Sequence, residues 1–249
     1  MSEDLTPIPP ASCVVVSGGS RGLGLALVQD ILGRGARVAA FARSVTPELA
    51  ALAAEHPEEV HVEAVDITDV RAVEAFVRAA GNRLGPIDAL VNNAAAGQDS
   101  LLVHTAPDRI ASLIETNLTA PLLLTRAVLR RMLAGGRRGR IVMITSVCAQ
   151  RGYSGLVVYA AAKGALEAAA RTLAREMHGR ALVNCVAPGF FASEMSSALG
   201  SEQLDTITRR TPSGRLVEPT DIVPLVRTLL FEDTNLNGQV LTVDGGSSI

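Results

Sequence analysis

Short apolar runs, several rich in β-branched residues, alternate along this chain with longer stretches whose apolar positions recur every three or four residues. The runs CVVVS (13–17), RVAAFA (37–42), VHVEAV (60–65), IDALVNN (87–93), RIVMITS (140–146), ALVNCVA (181–187) and QVLTVD (239–244) predict seven strands. Helical patterns fill 22–34, where Gly35 supplies a stop, and 69–83, 106–134, 157–178 and 219–230. The strands are nearly continuous in apolar character, as strands buried on both faces must be. Strand–helix alternation of this kind predicts an α/β fold: one doubly wound, seven-stranded parallel sheet with helices on both faces, spanning 12–249. Residues 1–11, acidic and proline-rich, read as a flexible leader rather than a secretory signal. In such a sheet ligands bind at the carboxyl ends of the strands.

Composition narrows the function classes. A chain of 249 residues, 48% hydrophobic and 19% charged, can bury a full core as a soluble protein. No apolar run approaches the roughly 20 residues of a membrane span. A net charge of −2 gives no general case for nucleic-acid binding. Cys13, Cys148 and Cys185 lie far apart in apolar segments and read as buried free thiols of a cytoplasmic protein, with no metal site. His56, His61, His104 and His178 show no metal or catalytic spacing.

Between the first strand and first helix stands SGGSRGLG (17–24). Glycines there let the chain turn sharply and let a pyrophosphate approach the helix N-terminus, where free N–H groups and the dipole favour anions. Gly18, Ser20, Arg21, Gly22, Leu23 and Gly24 are therefore candidate cofactor contacts, although the spacing departs from G-x-G-x-x-G, with Leu27 in the third glycine position. The same stretch also fits a hydrolase elbow, G-x-S-x-G, with Ser20 as nucleophile; that reading lacks a late histidine on a loop. Where an NAD site usually places an acid at the end of the second strand, this chain has Ala42 followed by Arg43. With Arg21, Arg43 suits a ribose 2′-phosphate and predicts NADP(H).

The chain has 23 Lys+Arg, and Lys163 is its single lysine; Tyr153 and Tyr159 are its two tyrosines. Tyr159 and Lys163, in YAAAK, are neighbours on one helix face. Ser146 ends the fifth strand near that helix's start. A ketone under reduction needs hydride on carbon and a proton on oxygen. Tyrosine can give the proton, but bringing its ordinary pKa of about 10 to neutrality takes about 4 kcal/mol. An ammonium about 4 Å away, at an effective dielectric near 20, supplies about that much. Lys163 is accordingly expected to lower the Tyr159 pKa and to bond ribose hydroxyls of the cofactor.

Taken together, SGGSRGLG, DI (66–67), NNA (92–94), TNL (116–118), Ser146, YAAAK and PGF (188–190) resemble the classical short-chain dehydrogenase/reductase family over about 12–249, with a Rossmann-like fold. The resemblance implies a catalytic set of Asn117, Ser146, Tyr159 and Lys163, Asn117 holding a water of the proton relay and Ser146 orienting the carbonyl. It implies Asp66 and Ile67 at the adenine, Asn93 on the adenosine side, and Pro188, Gly189 and Ser193 at the nicotinamide. Within the family the likeness runs to 3-oxoacyl-[acyl-carrier-protein] reductases, through DSLL (99–102), VAPGFFASEM (186–195), SALGSEQ (197–203) and GRLVEP (214–219). That implies reduction of a 3-oxoacyl thioester to the R-3-hydroxyacyl thioester, an acyl carrier protein docked on Arg130, Arg131 and Arg175, and a homotetramer. Departures are Ala95 in place of the glycine of NNAG, an apolar VCAQRGYSGLVV (147–158) before Tyr159, and a short EMHGRALVN (176–184). The first two flank the cofactor and substrate, and a polyketide-type ketoreductase would accommodate them. The alternatives are a reductase of a free small ketone and a non-catalytic NADP(H) sensor.

Overall fold

The computed structural model describes residues 12–97, 100–136, 138–191, 201–232 and 234–249, the side chains of 201–204 excepted. Seven strands, β1 (Cys13–Ser17), β2 (Arg37–Ala42), β3 (Val60–Ala64), β4 (Ile87–Asn92), β5 (Gly139–Ile144), β6 (Ala181–Pro188) and β7 (Val240–Val243), form one parallel sheet in the order β3-β2-β1-β4-β5-β6-β7. Eight α-helices connect or follow them among the described residues: α1 (Gly22–Gly33), α2 (Pro47–Glu55), α3 (Val70–Leu84), α4 (Pro107–Ile114), α5 (Ala120–Ala134), α6 (Val157–Met177), α7 (Ser201–Arg210) and α8 (Pro219–Phe231). The strand order reverses between β1 and β4, which opens a crevice at their carboxyl ends.

The central strands are buried on both faces, as their apolar runs predict, while the edge strands β3 and β7 are only partly covered. On one side α3, α5 and α6 cover Phe41, Leu90, Ile141 and Cys185; on the other α1, α2 and α8 cover Val14, Val16, Val142 and Val186. All three cysteines are buried free thiols, as expected. The strands match the predicted runs to within two residues. β5 ends at Ile144, two residues early, because Ser146 turns the chain into a short 3₁₀ turn (Val147–Ala149) and caps it.

Three features depart from the sequence reading. Helix α2 was not anticipated, although Thr46 caps it through a bond from the Leu49 amide and Pro47 opens it. Helix α7 was not anticipated either. The single helix expected over 106–134 is two helices joined by a π-helical turn, Glu115–Thr119. Such a turn inserts a residue without breaking the helical run of apolar positions, so periodicity does not reveal it. Residues 1–11, the expected leader, lie outside the described residues. Among the described residues no helix is long and apolar enough to cross a membrane.

Candidate active site

The glycine turn between β1 and α1 is locked from below and open above. The Gly18 amide donates to the Phe41 carbonyl at 2.7 Å. Ser17 Oγ accepts from the amides of Asn93 and Ala94, and Asn93 Nδ2 donates to the carbonyls of Ser17 and Gly18, all at 3.1 Å. Asn93 is thus a clamp between the end of β4 and the turn. Gly18 and Gly22 have φ of +70° and +53°, which side chains disfavour. A Cβ on Gly24 would stand 2.0 Å from the Gly18 carbonyl oxygen, whereas one on Gly22 would meet nothing within 4 Å. Tight glycine packing beneath and open space at the start of α1 fit a dinucleotide pyrophosphate. Leu23 is buried in the core under the turn, so only its backbone faces that space.

Ser20 is 3% exposed; its hydroxyl donates to the Ser44 carbonyl at 2.6 Å, and Thr46 Oγ1 donates to the Ser20 carbonyl at 2.7 Å. The serine ties the turn to the segment after β2, and a hydroxyl committed to a carbonyl is no nucleophile, which removes the hydrolase reading. Arg21 and Arg43 are exposed on either side of that tie. Past β3, Asp66 Oδ1 accepts from the Thr68 amide at 2.9 Å and its hydroxyl at 2.8 Å. These bonds, and to a lesser degree the Arg43 guanidinium, hold the carboxyl below its ordinary pKa. Ile67 is buried beside it.

The candidate catalytic residues come from three elements. Ser146 follows β5, with Oγ accepting from the Cys148 amide at 3.2 Å. Tyr159 and Lys163 stand one turn apart on α6, with the Ser146 side chain beside the Tyr159 phenol. Asn117 sits in the π-helical turn, fully buried, with Oδ1 accepting from the Ala96 amide at 3.0 Å and Nδ2 donating to the Ala96 carbonyl at 2.9 Å. That turn packs against α6. The extra residue of the turn aims Asn117 at the loop after β4, where two backbone bonds fix it.

The electrostatics correct one expectation. Lys163 Nζ lies 5.6 Å from the centre of the Tyr159 ring and donates to the Ile144 carbonyl at 2.8 Å. Burial pushes the phenol well above its ordinary pKa, the Cys148 thiol adds to this, and the Ser146 side chain opposes it. Burial likewise lowers Lys163 to about 8. The anticipated drop in the Tyr159 pKa is absent because loss of solvation outweighs an ammonium that faces the strand and the ring. The phenol therefore stays protonated at neutral pH, the form a proton donor requires.

Elsewhere, the Gly189 amide donates to the Val243 carbonyl at 2.9 Å, and a Cβ there would lie 2.8 Å from Asp244 Cα, so the backbone passes Pro188–Gly189 without room for a side chain. Ser193 lies outside the described residues. Arg130 and Arg175 are exposed. Arg131, in contrast, is drawn onto α3, lying over Gly81 and donating to Asn82 Oδ1 at 3.4 Å, which the sequence did not signal. Also unforeseen is an aromatic pair: Tyr153 meets Phe190 edge to face at 5.0 Å, with the Arg151 guanidinium over the Tyr153 ring.

A doubly wound sheet, a locked glycine turn at its switch point and a Ser–Tyr pair above a buried lysine define a nucleotide-dependent oxidoreductase. The chain belongs to the short chain dehydrogenase family, which it matches over residues 12–204. It is an oxidoreductase acting on a ketone or CH–OH group, with NAD(P)(H) as its class of cofactor. It is 37% identical over 234 residues to the 3-oxoacyl-[acyl-carrier-protein] reductase FabG of Vibrio harveyi, covering 93% of this chain and 95% of that one. Among solved structures it superposes on a doubly substituted short-chain dehydrogenase/reductase of Serratia marcescens with a TM-score of 0.89, 29% identity, and 97% and 100% of the two chains covered. A substituted actinorhodin polyketide ketoreductase with NADPH gives 0.86 at 30% identity, over 96% and 97%.

Proposed function

We propose that the protein reduces the 3-oxo group of an acyl thioester carried on an acyl carrier protein, using NADPH. The observation that carries the reading is the placement of Ser146 beside the Tyr159 phenol, one helical turn from a buried Lys163 anchored on the Ile144 carbonyl. When bound, the nicotinamide supplies hydride to the 3-keto carbon. Ser146 orients the carbonyl oxygen, and Tyr159 donates its proton to that oxygen as charge develops there. Lys163, with a pKa of about 8, is mostly charged at neutral pH and opposes the phenolate's negative charge once the proton has left. Asn117 holds a water that returns a proton toward Lys163. The glycine turn takes the pyrophosphate, Arg21 and Arg43 the 2′-phosphate, Asp66 and Ile67 the adenine, and Pro188, Gly189 and Ser193 the nicotinamide side.

The carrier protein docks through Arg130 and Arg175, whose exposure supports the role; Arg131 contributes less, since its guanidinium is engaged on α3. Identity to carrier-protein reductases across nearly the whole chain supports the substrate class, and the fold shared with a polyketide ketoreductase suits either a fatty-acid or a polyketide chain. A homotetramer is the assembly proposed.

The test follows NADPH oxidation with a 3-oxoacyl chain on holo-acyl carrier protein and on a short thiol mimic. Turnover strongly favouring the carrier form, weakened by Arg130→Glu with Arg175→Glu and abolished by Tyr159→Phe, is the expected result. Equal turnover of both forms, untouched by the arginine changes, points to a free ketone as substrate. Nucleotide binding with no turnover of any ketone defeats the catalytic reading.

A further inference from the structure

Helix α6 presents one polar stripe to the sheet. Tyr159, Lys163 and Glu167 occupy successive i+4 positions, so they stack along one face. Each meets the end of β5 at its own level. Lys163 Nζ donates to the carbonyl of Ile144 at 2.8 Å. Glu167 Oε1 accepts from Thr145 Oγ1 at 3.2 Å, sharing that hydroxyl's one proton with the Val186 carbonyl at 3.3 Å. The Tyr159 phenol faces the Ser146 side chain. Gln150, just beyond the 3₁₀ turn that Ser146 caps, is the next polar side chain facing the carboxylate. The carboxylate is therefore bonded to the catalytic segment at 145, immediately before Ser146, and faces it again at Gln150.

The apolar packing of α6 at this level is made mainly of small side chains. Of the buried residues of α6, Val158, Ala162, Lys163, Leu166, Glu167, Ala170 and Ala174, only two are large and apolar. Glu167 is itself 7% exposed, and burial raises its pKa. A carboxylate so placed is a poor device for stability, because an apolar side chain of similar volume is often neutral or stabilising there.

We propose that Glu167 is a positioning residue for the reduction, holding Ser146 at the Tyr159 hydroxyl by tying Thr145 to the helix that carries Tyr159 and Lys163. It touches neither substrate nor cofactor. Its loss lets the segment 145–150 shift relative to α6, and a shift of about 1 Å in a catalytic group costs roughly a hundredfold in rate.

The inference rests on the ketone-reductase reading, and the test separates the two. Glu167→Met, Glu167→Gln and Thr145→Val are compared with wild type for kcat and KM on a ketone that the wild type reduces, drawn from 3-oxoacyl thioesters and free ketones. NADPH affinity and thermal midpoint are measured alongside. Deuterium exchange is followed at the amides of 146–150, whose bonds include Cys148 N–H to Ser146 Oγ and Gln150 N–H to the Val147 carbonyl. Glu167→Met is expected to lower kcat by at least about tenfold and to speed exchange at 146–150, with the midpoint unchanged or higher and NADPH affinity intact. Glu167→Gln, which keeps an acceptor for Thr145, should restore most of both, and Thr145→Val should reproduce part of the defect. Wild-type kcat in Glu167→Met, or slow exchange retained there, overturns the proposal. If Glu167→Met does not fold, the same two readouts on Thr145→Val decide. If the wild type reduces no ketone, the proposed function falls, and the exchange measurement alone still decides the tether.

Discussion

Replacing Lys163 with methionine should make the protein more stable at neutral pH while inactivating it, and the stability gain should vanish in alkali. Lys163 is 2% exposed, and burial lowers its pKa from 10.5 to about 8. A lysine whose folded pKa is depressed binds fewer protons in the native state than in the unfolded chain. Between about pH 8 and pH 10.5 stability therefore rises with pH, and below pH 8 the folded state carries the full cost of the buried charge. At 1.36 kcal/mol per pH unit that cost is about 3 kcal/mol. Methionine removes it but leaves the Ile144 carbonyl without the lysine's bond, a loss of about 1 kcal/mol. The variant should be more stable than wild type by about 2 kcal/mol at pH 7, and the two should converge by about pH 10.

Urea unfolding followed by far-ultraviolet circular dichroism measures this, since the chain has no tryptophan to report by fluorescence. Groups that titrate alike in both proteins cancel in the difference, so the pH dependence of the gap isolates Lys163. A variant less stable than wild type at pH 7, or a gap that stays constant from pH 7 to pH 10, refutes the reasoning: the ammonium would then be solvated or paired rather than stranded.

Other perturbations bear on the same site. In Gly24→Ala the new methyl would meet the Gly18 carbonyl at 2.0 Å; the turn must shift, so NADPH titration should show binding lost, with stability lower by roughly 1–3 kcal/mol. Arg43→Ala should reduce the preference for NADPH over NADH by about tenfold or more, the worth of a charge-assisted hydrogen bond, read as the ratio of kcat/KM values; an unchanged ratio means the guanidinium is merely solvated. Because burial holds the Tyr159 phenol above its ordinary value, a Tyr153→Phe variant, with one tyrosine left, should show no phenolate absorbance below about pH 10; a transition near neutrality in the free protein would revive direct tuning by Lys163.

What the sequence made legible was whatever depends on local pattern or on rare residues at fixed spacing. Apolar runs located the seven strands: in the central ones burial on both faces leaves little choice of composition, and at the edges β3 and β7 keep an apolar residue at every other position. Ser146, Tyr159 and Lys163 stood out through spacing, and the structure brings them together. Interactions that depend on where a long side chain goes were not legible. Arg130 and Arg131 are adjacent and alike in sequence, yet one is exposed and the other lies across Gly81, a difference set by the absence of a side chain on a helix far away in the chain. The π-helical turn was hidden because a single inserted residue leaves the apolar pattern intact. Glu167 was hidden because an isolated acid in an alanine-rich helix reads as a solvated one, and only the packing of α6 on β5 turns it inward.

The single lysine now has a sharper explanation than scarcity. Arginine is not excluded from the interior of this protein: Arg140, in the middle of the sheet, is 4% exposed and donates to the Leu229 carbonyl at 3.4 Å and the Glu232 carbonyl at 2.8 Å. The fold can bury a guanidinium where carbonyls are arranged to receive it. What a guanidinium cannot do at position 163 is change its charge, since its pKa lies above about 12 at any accessible site. Lysine, lowered to about 8, can take up and release a proton near neutrality, next to a phenol that burial keeps protonated. A relay needs one group poised to give and another poised to follow. The same burial that raises Tyr159 and lowers Lys163 moves their two pKa values apart in the directions that make the tyrosine the donor and leave the lysine free to exchange.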